Sequence, residues 1–126
     1  RTRDRGDNWE NLQFERFSGI KYSRGIQASP NDPNTLYACV GMDFGSSEGG
    51  VLRTTDQGDT WERFDNGVTP QSTTFGVAIN NQNPEQVYFC TRRGGVFGTH
   101  DGGANWSEDA LPEGVSNVIS VACASA

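Results

Sequence analysis

Few residues in this sequence stand where they could do chemistry, and most of those are charged. Asp4, Asp56 and Asp101 share one setting: a Thr two residues before, a Gly two after and a Trp five after. A carboxylate placed so accepts hydrogen bonds from the backbone N–H groups of its own turn, which occupies it structurally. Calcium is not the expected partner, because an EF-hand alternates acidic ligands over a loop of about 12 residues and no such loop is present. The other candidates are Lys21, Tyr22 and Arg24 in one stretch, Asp43, Phe44 and Glu48 in a Gly/Ser-rich segment, and the adjacent Arg92 and Arg93. Arginines near a Tyr suit a carboxylate or another anion; as solvated loop residues they would only balance acidic neighbours. Asp43 and Glu48 are possible members of a glycosidase pair, which needs carboxylates ~5–9 Å apart across a sugar, but nothing in the sequence positions them.

Other chemistries find little support. The single His, His100, lies inside one of the Asp turns, and Cys39, Cys90 and Cys123 form no CxxC or Cys/His cluster. No zinc site, other metal or cofactor is expected. No Ser, His or Cys arrangement makes a nucleophilic triad, so no catalytic residue is assigned. The net charge of −6 argues against nucleic acid, whose backbone requires a concentrated basic surface. No apolar run approaches the ~20 residues of a membrane-spanning helix. No secretory leader is visible, and the compartment is not legible.

The elements that must position these residues are set by a repeat. The pattern Thr-x-Asp-x-Gly-x-(Asn/Thr)-Trp occurs at 2–9, 54–61 and 99–106, with its Trp residues 52 and 45 apart. That spacing suits one four-stranded blade per repeat, at ~40–50 residues each. A second segment, 25–39, aligns with 76–90 at a constant offset of 51. Between Cys and the following Asp the first repeat is six residues longer, and the excess falls in 41–50. The 16 Gly and 5 Pro punctuate turns, and the aromatics suit strands.

On these motifs the sequence resembles the Asp-box (BNR-repeat) β-propeller superfamily, which includes sialidases, sortilin-type receptors, xyloglucanases and photosystem II assembly factors. The resemblance covers nearly the whole chain; it is specific for fold and nearly silent on function. It implies an all-β chain of four-stranded antiparallel blades, with strand A innermost, strand D outermost and each Asp box at a C–D hairpin. The first full blade is expected to place A at 24–29, B at 35–41, C at 50–55 and D at 60–65. The second places A at 75–80, B at 86–92, C at 95–100 and D at 105–110. Residues 1–16 then end a preceding blade with strands C and D, 17–66 and 67–111 are the two full blades, and 112–126 open a further blade with a strand A at 117–124. In each box the Gly reverses the chain at positive φ, the Thr hydroxyl pins the strand across the turn, and the Trp is buried between blades. Thr2, Asp4, Gly6 and Trp9, Thr54, Asp56, Gly58 and Trp61, and Thr99, Asp101, Gly103 and Trp106 are therefore structural.

Propellers use about 4–8 blades, so two cannot close a ring. The missing blades are expected from the same longer chain, or by self-association. Cys39 and Cys90 hold equivalent places on strand B of neighbouring blades; sheets pack ~10 Å apart and a disulfide needs Cα atoms within ~7 Å, so both read as buried apolar side chains, as does Cys123. The resemblance places ligands on the face of the D–A and B–C loops, opposite the boxes. That face should carry Lys21, Tyr22, Arg24, Asp43, Phe44, Glu48, Arg92 and Arg93 as ligand-binding candidates. The expected function is a non-catalytic scaffold or binding module for a protein or anionic ligand. The alternative is part of a carbohydrate-active propeller, a glycoside hydrolase or sialidase-like enzyme, although the Arg-Ile-Pro segment of bacterial sialidases is absent here.

Overall fold

The computed structural model describes residues 1–124. It contains two four-stranded antiparallel sheets, each in sequential strand order. The first holds β1 (Tyr22–Ala28), β2 (Leu36–Gly41), β3 (Gly49–Thr54) and β4 (Glu62–Arg63). The second holds β5 (Thr74–Ile79), β6 (Val87–Thr91), β7 (Val96–Thr99) and β8 (Ser107–Asp109). They are the two blades, with strands A to D in the expected order. The outer strands are shorter than the sequence indicates. Phe64 still donates its N–H to the Val51 carbonyl at 2.8 Å, and beyond it Asp65 turns to bind Arg63 instead of extending the ladder.

Blade 1 is buried on both faces, which is why β2 and β3 are almost continuously apolar. Side chains alternate across the sheet. Ala38, Val40 and Leu52 join Ile20 and Trp61 on one face, with Leu12, Phe14 and Phe17 packed over them. Tyr37, Val51 and Phe64 line the other, where they meet Ile79, Val87, Phe89 and Phe97 of blade 2. That second cluster is the seam between blades.

The Asp boxes fold alike. Thr54 Oγ donates to Asp56 Oδ1 at 2.6 Å, and Asp56 Oδ1 accepts the Thr60 N–H at 2.9 Å. The Thr54 oxygen in turn accepts the Gly58 N–H at 2.9 Å. The Thr hydroxyl therefore ties the turn itself, not the strand across it as its place in the sequence suggests. Gly6, Gly58 and Gly103 have φ of 102, 91 and 91°, and the residue before each is also left-handed.

These bonds favour the ionised carboxylates. Asp4 is held down to about 2, chiefly by the Asn8 backbone N–H, and Asp101 to about 2, chiefly by the Asn105 side chain. Asp56 is lowered too, chiefly by Thr54. A carboxylate lowered on folding contributes stability above its unfolded value, near 3.9, and loses it as pH falls through the folded value. Thermal melts followed by circular dichroism should give a flat Tm above about pH 5 and a decline between about pH 4 and pH 2, reduced in Asp56→Asn. A wild-type Tm unchanged to about pH 2 would show that the box carboxylates do not tie the turns.

The ends depart from expectation. Residues 1–16 form no strand; the first box turn is present and Glu10 donates its N–H to the Arg1 carbonyl at 2.7 Å, but the chain then enters a helical turn, α1 (Glu15–Ser18). The Arg1 amino group donates back to the Glu10 carbonyl at 2.6 Å, but strand D needs a ladder partner along its length, and among the described residues the pairing stops at this one rung. Trp9 is 74% exposed, whereas Trp61 is 5% exposed: Trp61 packs edge-on against Phe14 with ring centroids 4.8 Å apart, while among the described residues no aromatic ring packs against Trp9. Residues 117–124 form no strand either, and Cys123 is only half-buried. They nonetheless lie where an inner strand belongs. A Cβ on Gly76 would sit 3.2 Å from the Ser120 Cα, as one on the equivalent Gly25 would sit 3.6 Å from the Phe75 carbonyl. Residues 125–126, the end of the segment 112–126 expected to open a further blade, are outside the described residues. No described helix is long and apolar enough to cross a membrane.

Candidate functional site

The strand A of each blade carries a bulge at the loop-face end. The β1–β2 register shifts between Ser23 and Gly25, and the β5–β6 register between Thr74 and Gly76. Arg24 and Phe75 are thus the bulged residues at equivalent positions. A bulge re-aims its side chain out of the ladder and is common beside functional sites. Here it brings the Arg24 guanidinium 5.1 Å from the Phe75 ring centroid.

Two loops complete the cluster. The loop 42–48 of blade 1 delivers Phe44, with its ring centroid 5.4 Å from that of Phe75 and 5.7 Å from the Arg24 guanidinium. The loop after β6 delivers Arg92, whose guanidinium lies 5.0 Å from the Phe44 centroid. Phe75 is buried and Phe44 is 50% exposed. Two cations thus flank one exposed ring, each contact worth about 0.5–1 kcal/mol at such a site. Among the described residues, Arg24, Arg92 and Arg93 form no ion pair, as Arg5 and Arg16 do not elsewhere, whereas Arg1, Arg3, Lys21, Arg53 and Arg63 each do.

The loops are held by a buried pair between them, Ser72 and Thr73. Thr73 Oγ donates to the Asp43 carbonyl at 2.5 Å and lies 3.0 Å from Ser46 Oγ. The Thr73 carbonyl accepts the Arg92 N–H at 3.0 Å, and Ser72 Oγ accepts the Arg93 N–H at 3.0 Å. One D–A segment therefore fixes both B–C loops.

The structure brings Arg24, Phe44 and Arg92 together and sets the remaining candidates apart. Lys21 pairs with Glu15 of α1 at 3.4 Å. Tyr22 is half-buried and faces Gly41 across the ladder. The Asp43 carboxylate accepts the Gly45 N–H of its own loop at 2.7 Å. Arg93 and Glu48 are exposed. Phe75, Ser72 and Thr73 were missed in sequence, although the constant offset of 51 residues pairs Phe75 with Arg24 and could have flagged it.

Cys39 and Cys90 are buried free thiols. Burial pushes Cys39 up to about 12, with Cys90 adding to the effect, and raises Cys90 as well. Neither is a thiolate nucleophile. His100 stays on its box turn, edge-on to Tyr88 with ring centroids 5.8 Å apart. No group of His, Cys, Asp and Glu among the described residues is arranged to hold a metal ion.

No family model matches the chain. It is 34% identical over 111 residues to a xyloglucanase of Acetivibrio thermocellus, covering 79% of this chain and 13% of that enzyme. It is 30% identical over 93 residues to a xyloglucanase of a Paenibacillus species, covering 66% of this chain and 9% of that one. The chain therefore spans only a small part of the relatives it matches. Among solved structures, YCF48 bound to D1 peptide superposes with a TM-score of 0.63 at 16% identity, over 85% of this chain and 32% of that one. The GH74 xyloglucanase from Xanthomonas campestris gives 0.56 at 25% identity, over 74% of this chain and 13% of that one. Repeat, sheet topology and relatives agree: the chain belongs to the Asp-box β-propellers, is related by sequence to xyloglucanases and shares its fold with YCF48.

Proposed function

We propose that the chain is a non-catalytic binding module within a larger propeller, holding a carboxylate-bearing ligand or protein segment on its D–A/B–C loop face. The observation that carries this reading is the pair of guanidiniums, Arg24 and Arg92, without ion-pair partners among the described residues and set around the exposed Phe44 ring. A guanidinium offers a planar fork of donors to a carboxylate. An aromatic beneath it fixes its orientation, so less freedom is lost on binding. The solved YCF48 structure, alike in fold, has a D1 peptide bound, which supports a propeller of this kind as a peptide holder. The remaining blades come from a longer chain or from further copies, since two do not close a ring.

A second reading is favoured by the 34% identity to a xyloglucanase: the two blades form part of a carbohydrate-active propeller, with Phe44 stacking against a neutral sugar. The two separate in an amide chemical-shift map of the chain, titrated once with hexaglutamate and once with a xyloglucan oligosaccharide. Hexaglutamate should move the amides around residues 24, 44, 75 and 92 while the sugar leaves them in place. Movement by the sugar alone would support the enzyme reading, and movement by neither would remove a ligand role from this face.

A further inference from the structure

One ion pair with a buried carboxylate and a half-buried guanidinium lies next to this face. Arg63 donates through Nε and Nη2 to the two oxygens of Asp65 at 2.8 and 2.7 Å. Its Nη2 also reaches the Gly49 carbonyl at 3.3 Å. The Asp65 side chain is 0% exposed. Such a pair adds little net stability, because desolvation of the carboxylate offsets much of the attraction and the half-exposed guanidinium is screened by solvent. What it does supply is a fixed geometry.

The geometry bears on the loop that carries Phe44. Loop 42–48 enters β3 at Gly49 and Gly50, and their backbone is slotted between two neighbours. A Cβ on Gly50 would lie 2.7 Å from the Arg63 Cζ, and one on Gly49 would lie 2.1 Å from the Ser72 carbonyl oxygen. The guanidinium thus closes one side of the slot and the D–A segment closes the other. Blade 2 has no counterpart: the repeat puts Glu108 and Ala110 in these places, and its stretch from Cys to box Asp, which includes the B–C loop, is six residues shorter. The pair and the long loop occur in the same blade.

We infer that Arg63 and Asp65 are a positioning pair, setting the exit of loop 42–48 against Ser72 and Thr73 and thereby placing Phe44 against Arg24 and Arg92. Its significance rests on the loop face being the binding face, but its test needs no ligand. A guanidinium over an aromatic face has its Nε–H resonance displaced by the ring current. The Arg24 and Arg92 resonances are therefore measured in the full chain for wild type, Phe44→Ala, Arg63→Lys and Asp65→Asn. Phe44→Ala marks the displacement lost with the ring. Arg63→Lys and Asp65→Asn should both move the two resonances in that direction while the Tyr88 and His100 signals of blade 2 stay in place. Should Asp65→Asn not fold, Gly50→Ala carries the same readout, because it displaces the guanidinium without removing either charge. Wild-type positions for both arginine resonances in a folded Arg63→Lys, with either partner variant agreeing, would overturn the inference. Failure of hexaglutamate to bind would leave these resonances unaffected, so the two ideas fail separately.

Discussion

Phe64→Ala is expected to lower the stability of the chain by about 3–5 kcal/mol, the usual cost of emptying an aromatic site in a packed core. The ring is 3% exposed and stands at the seam between blades. Its centroid is 5.0 Å from that of Tyr37 in its own blade and 5.4 Å from that of Trp106 in the next, and the Arg53 guanidinium lies 4.8 Å from it. The box glycine of blade 2 is shaped to it: a Cβ on Gly103 would come within 2.6 Å of the ring. The Trp106 indole N–H donates to the Phe64 carbonyl at 3.1 Å. Little around this site can collapse into the space, since both neighbours are fixed by their own sheets. Denaturant unfolding measures the loss. Trp9→Ala is the control, at a box Trp with no blade over it, and should stay within about 0.5 kcal/mol of wild type. A Phe64→Ala loss under about 1 kcal/mol would mean that the blades are not joined through this ring.

The box Trp shows where reading a repeat works and where it stops. Thr, Asp, Gly and Trp at fixed spacing located all three box turns, including the C–D turns of both blades, because those bonds are local to the turn. The strands followed, since A, B and C pair within one repeat and the apolar runs of β2, β3 and β6 have few other places to go. What depends on a neighbouring blade was not legible from the motif. Trp61 is covered by Phe14 while Trp9 is not, though the two sit in the same pattern. Residues 1–16 and 117–124 carry blade-like sequence, yet a strand needs backbone partners, and the described chain provides them with one rung at most. The repeat also puts Asp109 where Phe64 stands, so the outer seam of blade 2 cannot be a copy of the inner one.

The site was legible in part for the same reason. Arg24 and Arg92 were found because they flank strands whose ends the repeat fixes, and Phe44 because it lies in the insertion. That the three converge depends on two bulges and on the Ser72–Thr73 segment, whose role is set by register and backbone hydrogen bonds. No residue type signals either. The acidic net charge hides the cluster as well, since composition averages over the whole surface while Arg24 and Arg92 occupy one corner of it.

The reading of the loop face is most directly tested by calorimetric titration of hexaglutamate into the wild-type chain, into Arg24→Glu with Arg92→Glu, and into Arg5→Glu with Arg16→Glu. The last two carry the same change in charge, but Arg5 is on a box turn and Arg16 in α1. A charge-assisted hydrogen bond contributes about 1.5–3 kcal/mol, exposure discounts it, and each 1.4 kcal/mol is tenfold in affinity. Reversing Arg24 and Arg92 should weaken binding roughly ten- to hundredfold, and reversing Arg5 and Arg16 by less than about threefold. Equal losses in the two double variants, or wild-type affinity with Arg24 and Arg92 reversed, would contradict an anion site on this face.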